Sequence, residues 1–144
     1  MPYKTEMTDI ARILKQSRTI AVVGLSCKPH RTSYQVAQYL QAHGYRVIPV
    51  NPSYAGTDIL GEHCHATLQD AALALGATRI DIVDCFRKAQ DIAPVAQAAI
   101  DIKAGCLWMQ LGISDPVSGD LASAAGLDVV MNRCTKIELS HLPH

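Results

Sequence analysis

Residues Thr19 to Tyr39 read TIAVVGLSCKPHRTSYQVAQY, and they carry the clearest folding signal in the chain. Ile20, Ala21, Val22 and Val23 are apolar in succession, the pattern of a strand covered on both faces. Gly24 ends the run. A polar loop from Leu25 to Thr32 holds Lys28, Pro29 and Arg31. Beyond it Tyr34, Val36, Ala37 and Leu40 mark one face of a helix over Ser33–His43, with Thr32 or Ser33 as its cap and Gly44 just past its end. Strand, glycine turn, polar loop and helix form the opening unit of a nucleotide-binding α/β fold. The helix start offers unpaired N–H groups and the positive end of a dipole, which suits a phosphate. Lys28 and Arg31 bring cations to the same place, and Ser26, Thr32 and Ser33 bring hydroxyls.

The same alternation continues on both sides. Thr8–Ser17 reads as a short amphipathic helix capped by Thr8, with Ile10, Ile13 and Leu14 on one face. Arg46–Val50 is a strand whose Pro49 fits only where one N–H is free. Asn51-Pro52 is a turn, and Ile59-Leu60 is read as a short edge strand. Leu68–Leu75 is a helix, Ile80–Phe86 a strand, and Asp91–Ile102 a helix with Pro94 in its first turn. Gly105–Met109 is a strand, Ser118 or Gly119 to Ala125 a helix, and Asp128–Met131 a last strand. Asn132–Glu138 reads as an extended alternation of polar and apolar residues, with a tail from Ser140. Asp81 and Asp84 are expected at strand margins or facing a polar edge.

This order predicts a Rossmann-like, three-layer, doubly wound sheet. It is mainly parallel, with about five main strands and helices on both faces. Ligands of such sheets bind at the carboxyl ends of the strands. Those ends are Gly24–Arg31, Asn51–Tyr54, Phe86–Lys88, Gln110–Ile113 and Asn132–Lys136.

The 144 residues suffice for a single domain, with a core over about 7–139. Apolar residues make up 49%, which argues against disorder, and 13 basic residues balance 13 acidic ones. That balance argues against nucleic-acid and anionic-membrane partners, though not against a local cationic pocket. No run is long enough to span a bilayer, and Met1–Ile10 lacks the apolar core of a secretion signal, so the cytoplasm is expected. The five cysteines have wide spacings and no CxxC, and are read as reduced thiols, with Cys85 and Cys106 in the core.

The first loop lacks the glycines of a GxGxxG dinucleotide fingerprint, and the second strand ends in Asn51 where an acidic residue would hold a ribose. Both departures count against NAD(P). His63-Cys64-His65 invites a metal reading, but nothing at zinc-type spacing completes the ligand set, so it is read as a loop or edge segment. Cys27 lies beside Lys28 near a helix start, which favours a thiolate. It is read as a loop residue of the ligand site with no catalytic role, and Cys134 is likewise assigned none.

The segments AVVGLSCKPHRTSYQVAQYLQAHGYRVIPVNP, LGEHCHATLQD, DIVDCFRKAQ, LWMQLGI and GLDVVMNRCTKIEL occur in that order. Together they resemble the small stand-alone CoA-binding proteins of the CoA_binding_2 family. These are similar to the CoA-binding domain of succinyl-CoA synthetase alpha chains. The resemblance spans roughly Met7 to Leu139. It implies that Gly24, Ser26, Lys28, Pro29, Arg31, Ser33 and Tyr34 surround the CoA diphosphate and 3′-phosphate. It implies that Asn51 and Pro52 flank the adenosine, that Phe86 covers the adenine or ribose, and that Arg87 meets a phosphate. Gln110 and Gly112 fall near the pantetheine path. The family's MDRC reads Met131, Asn132, Arg133 and Cys134 here, with Asn132 replacing a carboxylate. The phosphorylated histidine of the synthetases lies in a second domain that does not follow in these residues. The expected function is therefore binding of coenzyme A or an acyl-CoA without chemistry, by a chain that acts with a partner enzyme or as a homodimer. An enzyme acting on a CoA thioester through Gln110, Asn132 or Cys134 is the alternative, and an NAD(P)-binding protein the third.

Overall fold

A computed structural model describes residues 7–143, with side chains from residue 9. Five parallel strands form the sheet: β1 (Thr19–Val23), β2 (Arg46–Val50), β5 (Ile82–Cys85), β6 (Cys106–Met109) and β7 (Asp128–Val130). Their spatial order is β2-β1-β5-β6-β7. Successive crossovers thus run one way from β1 to β2 and the other way from β5 through β7. The reversal falls between β1 and β5. Two short antiparallel strands, β3 (Asp58–Ile59) and β4 (Glu62–His63), form a separate hairpin. The edge strand expected at Ile59-Leu60 is this hairpin and not part of the main sheet.

Side chains alternate across the sheet with period two, and each set meets its own helices. Ala21, Val23, Ile48, Val50, Val83, Cys85, Leu107 and Met109 pack with α3 (Leu68–Leu75), α4 (Ile92–Asp101) and α5 (Pro116–Ala124). Ile20, Val22, Val47, Ile82, Cys106 and Trp108 pack with α1 (Met7–Gln16), α2 (Thr32–Ala42) and α6 (Thr135–Ser140). The three-layer expectation therefore holds. Cys85 and Cys106 lie in the core as expected, and burial pushes both thiols above the ordinary range.

Pro49 shows how the sequence fits the sheet locally. Its carbonyl faces away from β1 and accepts a hydrogen bond from the His65 N–H at 3.1 Å. In a parallel strand a residue's N–H and C=O point to the same side, so the missing N–H also faces outward. The β1 ladder loses nothing, as the sequence required.

Five expectations are corrected. Asn132–Glu138 is not extended: Asn132 takes a left-handed backbone (φ 59°) and Thr135 opens α6. Thr135, Glu138 and Leu139 are its buried residues, two of them polar, which hides the helical period. Second, Asp84 lies at no polar margin. It is fully buried in β5, between Val22 and Trp108 on the flanking strands. Asp81 does sit at the margin, where its Oδ2 accepts from the Arg18 and Thr19 N–H groups at 2.8 and 3.0 Å. Third, α5 starts at Pro116 after Asp115, ahead of Ser118, because proline's fixed φ suits a first turn. Fourth, Arg31 occupies the cap of α2 without a side-chain bond, and Ser33 has another use described below. Fifth, α1 already includes Met7, so Thr8 lies within the helix and not at its cap. Among the described residues no helix is long and apolar enough to cross a membrane.

Gly24 is the residue that the strand ends cannot exchange. It has φ +91°, and a Cβ there would stand 2.6 Å from the carbonyl oxygen of Phe86. Its N–H bonds the Val50 carbonyl at 2.8 Å, and the Phe86 N–H bonds the Val23 carbonyl at 2.8 Å, so the three strand ends are laced at this point. Gly24→Ala is expected to destabilise the fold by about 2 kcal/mol or more, through strain and the backbone clash. Urea unfolding of the variant measures this, and an unchanged midpoint contradicts it.

Candidate ligand-binding site at the strand ends

The loop after β1 is held in place by its own hydroxyls. Ser33 Oγ accepts from the Ser26 N–H at 3.0 Å, and Ser26 Oγ accepts from the Lys28 N–H at 3.1 Å. The Arg31 N–H closes a turn on the Lys28 carbonyl at 3.0 Å. Short polar side chains that bond nearby backbone are what fold such loops. After β2, Asn51 does similar work. Its Oδ1 accepts from the Ser53 N–H at 3.0 Å and sets the short 3-10 turn Pro52–Tyr54. Its Nδ2 donates to the Leu25 carbonyl at 3.0 Å, tying that turn to the first loop. Asn51 is 94% buried by the 6% exposure that remains, so it builds the wall and offers little of itself to a ligand.

Between these segments and the end of β5 lies a cavity of about 750 Å³. Gly24, Ser26, Arg31, Ser33, Asn51, Phe86 and Arg87 line it, all named from the sequence. Thr32, read as a hydroxyl of the loop, lines it too, and His30, Ser53, Tyr54 and Lys88 also line it and were not named singly. All but Thr32 belong to strand-end segments that the alternation had pointed out. The lining holds Arg31, Arg87, Lys88 and His30 and no carboxylate. Arg87 Nε stands 3.4 Å from the point where a Gly24 side chain would begin, so the missing Cβ gives the guanidinium room. Tyr54 and Phe86 add two aromatic rings to the walls. Cations without competing carboxylates, hydroxyls and flat rings suit a phosphorylated nucleoside.

A second cavity of about 210 Å³ shares Arg87 with it. Val23, Val50, Pro52, Leu68, Pro94 and Val95 are among its apolar walls. Pro52, named from the sequence, therefore faces this pocket. Cys27 and Lys28 are exposed on the first loop, and Tyr34 packs against the α1/α2/α6 core.

The remaining sequence-named residues lie at the β6 and β7 ends: Gln110 and Cys134 are buried, Arg133 is half-buried, and Gly112 and Asn132 are exposed. Gln110 is buried, and its Nε2 donates to Asp84 Oδ1 at 2.5 Å and to Thr135 Oγ1 at 2.8 Å. Thr135 Oγ1 also bonds Asp84 Oδ2 at 3.0 Å. Burial outweighs these two bonds and raises the Asp84 carboxyl to about 7. Asn132 Oδ1 accepts from the Gly112 N–H at 2.7 Å. The Trp108 ring N–H donates to the Arg133 carbonyl at 2.7 Å, and the Arg133 guanidinium stands 3.6 Å from Glu138. Cys134 is buried beside them. His63 and His65 meet edge to face with centroids 5.0 Å apart, and Cys64 is buried away from them. Among the described residues no three histidines, cysteines or carboxylates are placed to share a metal ion.

Comparison with known proteins agrees with this fold. Residues 18–140 match the model of the CoA binding domain. The chain is similar to the uncharacterized protein YneT of Bacillus subtilis (strain 168), at 34% identity over 129 residues, 90% of each chain. A Thermus thermophilus protein of known structure is 32% identical, with TM-score 0.86 over 94% of this chain and 98% of that one. A hypothetical protein from Pyrococcus horikoshii OT3 is 35% identical, with TM-score 0.86 over 96% and 92%. A Rex-family repressor at 12% identity and TM-score 0.58 shares the fold alone. Taken with the parallel sheet and the strand-end cavity, the match over residues 18–140 places this chain in the CoA_binding_2 family of CoA-binding domains.

Proposed function

We propose that the chain binds coenzyme A, or an acyl-CoA, at the ends of β1, β2 and β5, as a binding module without chemistry of its own. The observation that carries this reading is the carboxylate-free cationic cavity at the point where the strand order reverses. Arg31, Arg87 and Lys88 would meet the phosphates, helped by the hydroxyls of Ser26 and Ser33. The apolar pocket that shares Arg87, with Pro52 at its wall, would give a base an apolar surface to pack on. Family membership supports the choice of coenzyme A among phosphorylated nucleotides. Against a dinucleotide stands Asn51, since no carboxylate closes β2 and its amide is already engaged. A module of this kind presents its ligand to another protein or to a second copy of itself.

Calorimetric titration with coenzyme A, NADH and NADPH tests the reading. Coenzyme A is expected to bind, more weakly as salt rises, because the contacts are to phosphate. Acetyl-CoA incubated with the protein should be recovered intact. Binding of NADH in preference to coenzyme A, or turnover of the thioester, contradicts the proposal.

A further inference from the structure

His30 lines the strand-end cavity beside Arg31, Arg87 and Lys88. The loop holds its backbone from several sides. The Arg31 N–H closes a turn on the Lys28 carbonyl at 3.0 Å, and Ser26 Oγ accepts from the Lys28 N–H at 3.1 Å. Gln35 Nε2, in the first turn of α2, reaches the Pro29 and His30 carbonyls at 3.5 Å each. The ring itself is exposed, and among the described residues it makes no hydrogen bond or ion pair. The titratable groups around the cavity are Arg31 beside it, Cys27 and Lys28 earlier on its own loop, Arg87 and Lys88 from the β5 end, and Tyr54 from the turn after β2. No carboxylate lines the cavity to balance a charged ring, so a bound phosphate is the anion that would. Histidine is the side chain that ordinarily changes charge near neutrality, and an anion beside it favours the charged form. The imidazolium also donates from both nitrogens, where the neutral ring donates from one.

We infer that His30 is a further phosphate-binding residue and that it binds as the imidazolium, so that coenzyme A is taken up together with a proton. The inference rests on the coenzyme A reading above. Linkage then fixes the sign: a proton gained on binding makes the affinity fall as pH rises through neutrality. Arg31, Arg87 and Lys88 supply attraction on their own, and His30 adds a contribution that is present on the acid side and lost on the alkaline side.

The test is calorimetric titration with coenzyme A of the wild type, His30→Gln and His30→Arg, in buffers of different ionisation enthalpy, which counts the protons exchanged. The phosphates of coenzyme A titrate alike in all three experiments, so differences between the proteins report residue 30. His30 is exposed on a loop, and neither exchange touches the core. At pH 7.5 the wild type is expected to take up about half a proton more than His30→Gln. At pH 6 it should bind at least about fivefold more tightly than His30→Gln, and at pH 8.5 within about twofold. His30→Arg keeps its charge and should bind more tightly than His30→Gln at both pH values. Equal proton counts for wild type and His30→Gln overturn the inference, and so does an affinity ratio between them that does not change with pH. Both outcomes leave coenzyme A binding intact. Failure of the wild type to bind coenzyme A overturns the underlying reading as well, and so is told apart from them.

Discussion

Replacing Arg31 and Arg87 together by alanine is expected to weaken coenzyme A binding by at least about a hundredfold. Each guanidinium can make a charge-assisted bond to phosphate, with a net value of about 1.5–3 kcal/mol per contact, and the two act on one ligand. Arg31 enters from the cap of α2 and Arg87 from the end of β5, so they face the cavity from different elements. Neither is needed for the core, and Tm should stay within about 2 °C of wild type. Lys28→Ala should cost less, because Lys28 stands exposed on the loop and does not line the cavity. Calorimetry on the double variant decides the matter. Affinity within about threefold of wild type would place the ligand elsewhere.

Asp84→Asn is expected to stabilise the protein at alkaline pH and to flatten its pH dependence. The Asp84 carboxyl rises from 3.8 to about 7 on folding because it is wholly buried; the bonds from Gln110 and Thr135 only partly oppose this. The folded state therefore holds its proton more tightly than the unfolded chain. The stabilisation from this group is fully present below about pH 4 and is lost as pH rises through about 7. A shift of about three units corresponds to on the order of 4 kcal/mol. Asparagine has the same shape and no charge. Its oxygen can still accept from Gln110, and its amide can donate to Thr135. The difference in urea midpoint between variant and wild type, followed from pH 5 to pH 9, should grow through neutrality in favour of the variant. Parallel profiles would show that Asp84 does not titrate in this way.

The architecture was legible because its signals are local. Apolar runs such as Ile20–Val23 and glycines such as Gly44 and Gly76 mark strands and helix ends without reference to the rest of the chain. The rim was legible at the level of segments, since parallel topology alone brings Gly24–Arg31, Asn51–Tyr54 and Phe86–Lys88 together. What each side chain does there was not. Asn51, Gln110 and Asn132 look like ligand contacts by residue type. Their amides instead have protein partners, 20 to 26 residues away for the long-range bonds. Asp84 inside IDIVDCF carries no local sign of burial, because Gln110 and Thr135 lie 26 and 51 residues on. The helix at Thr135–Ser140 escaped for a similar reason. Six residues give too few turns to show a period, and its buried face carries Thr135 and Glu138, which are stable there only in tertiary contact.

The outward-facing Pro49 has a consequence for how copies of this protein meet. An exposed sheet border is a template on which another chain can add a strand and begin to aggregate. On the β2 side that border offers no donor at Pro49. Its neighbouring outward groups are taken by His65, whose N–H bonds the Pro49 carbonyl and whose carbonyl accepts from the Asn51 N–H at 2.9 Å. On the far side β7 has three residues, too short a border for lasting addition. The same turn that shapes the ligand cavity thus helps to close the sheet against self-templating, so alterations near Asn51 and His65 bear on solubility as well as on binding.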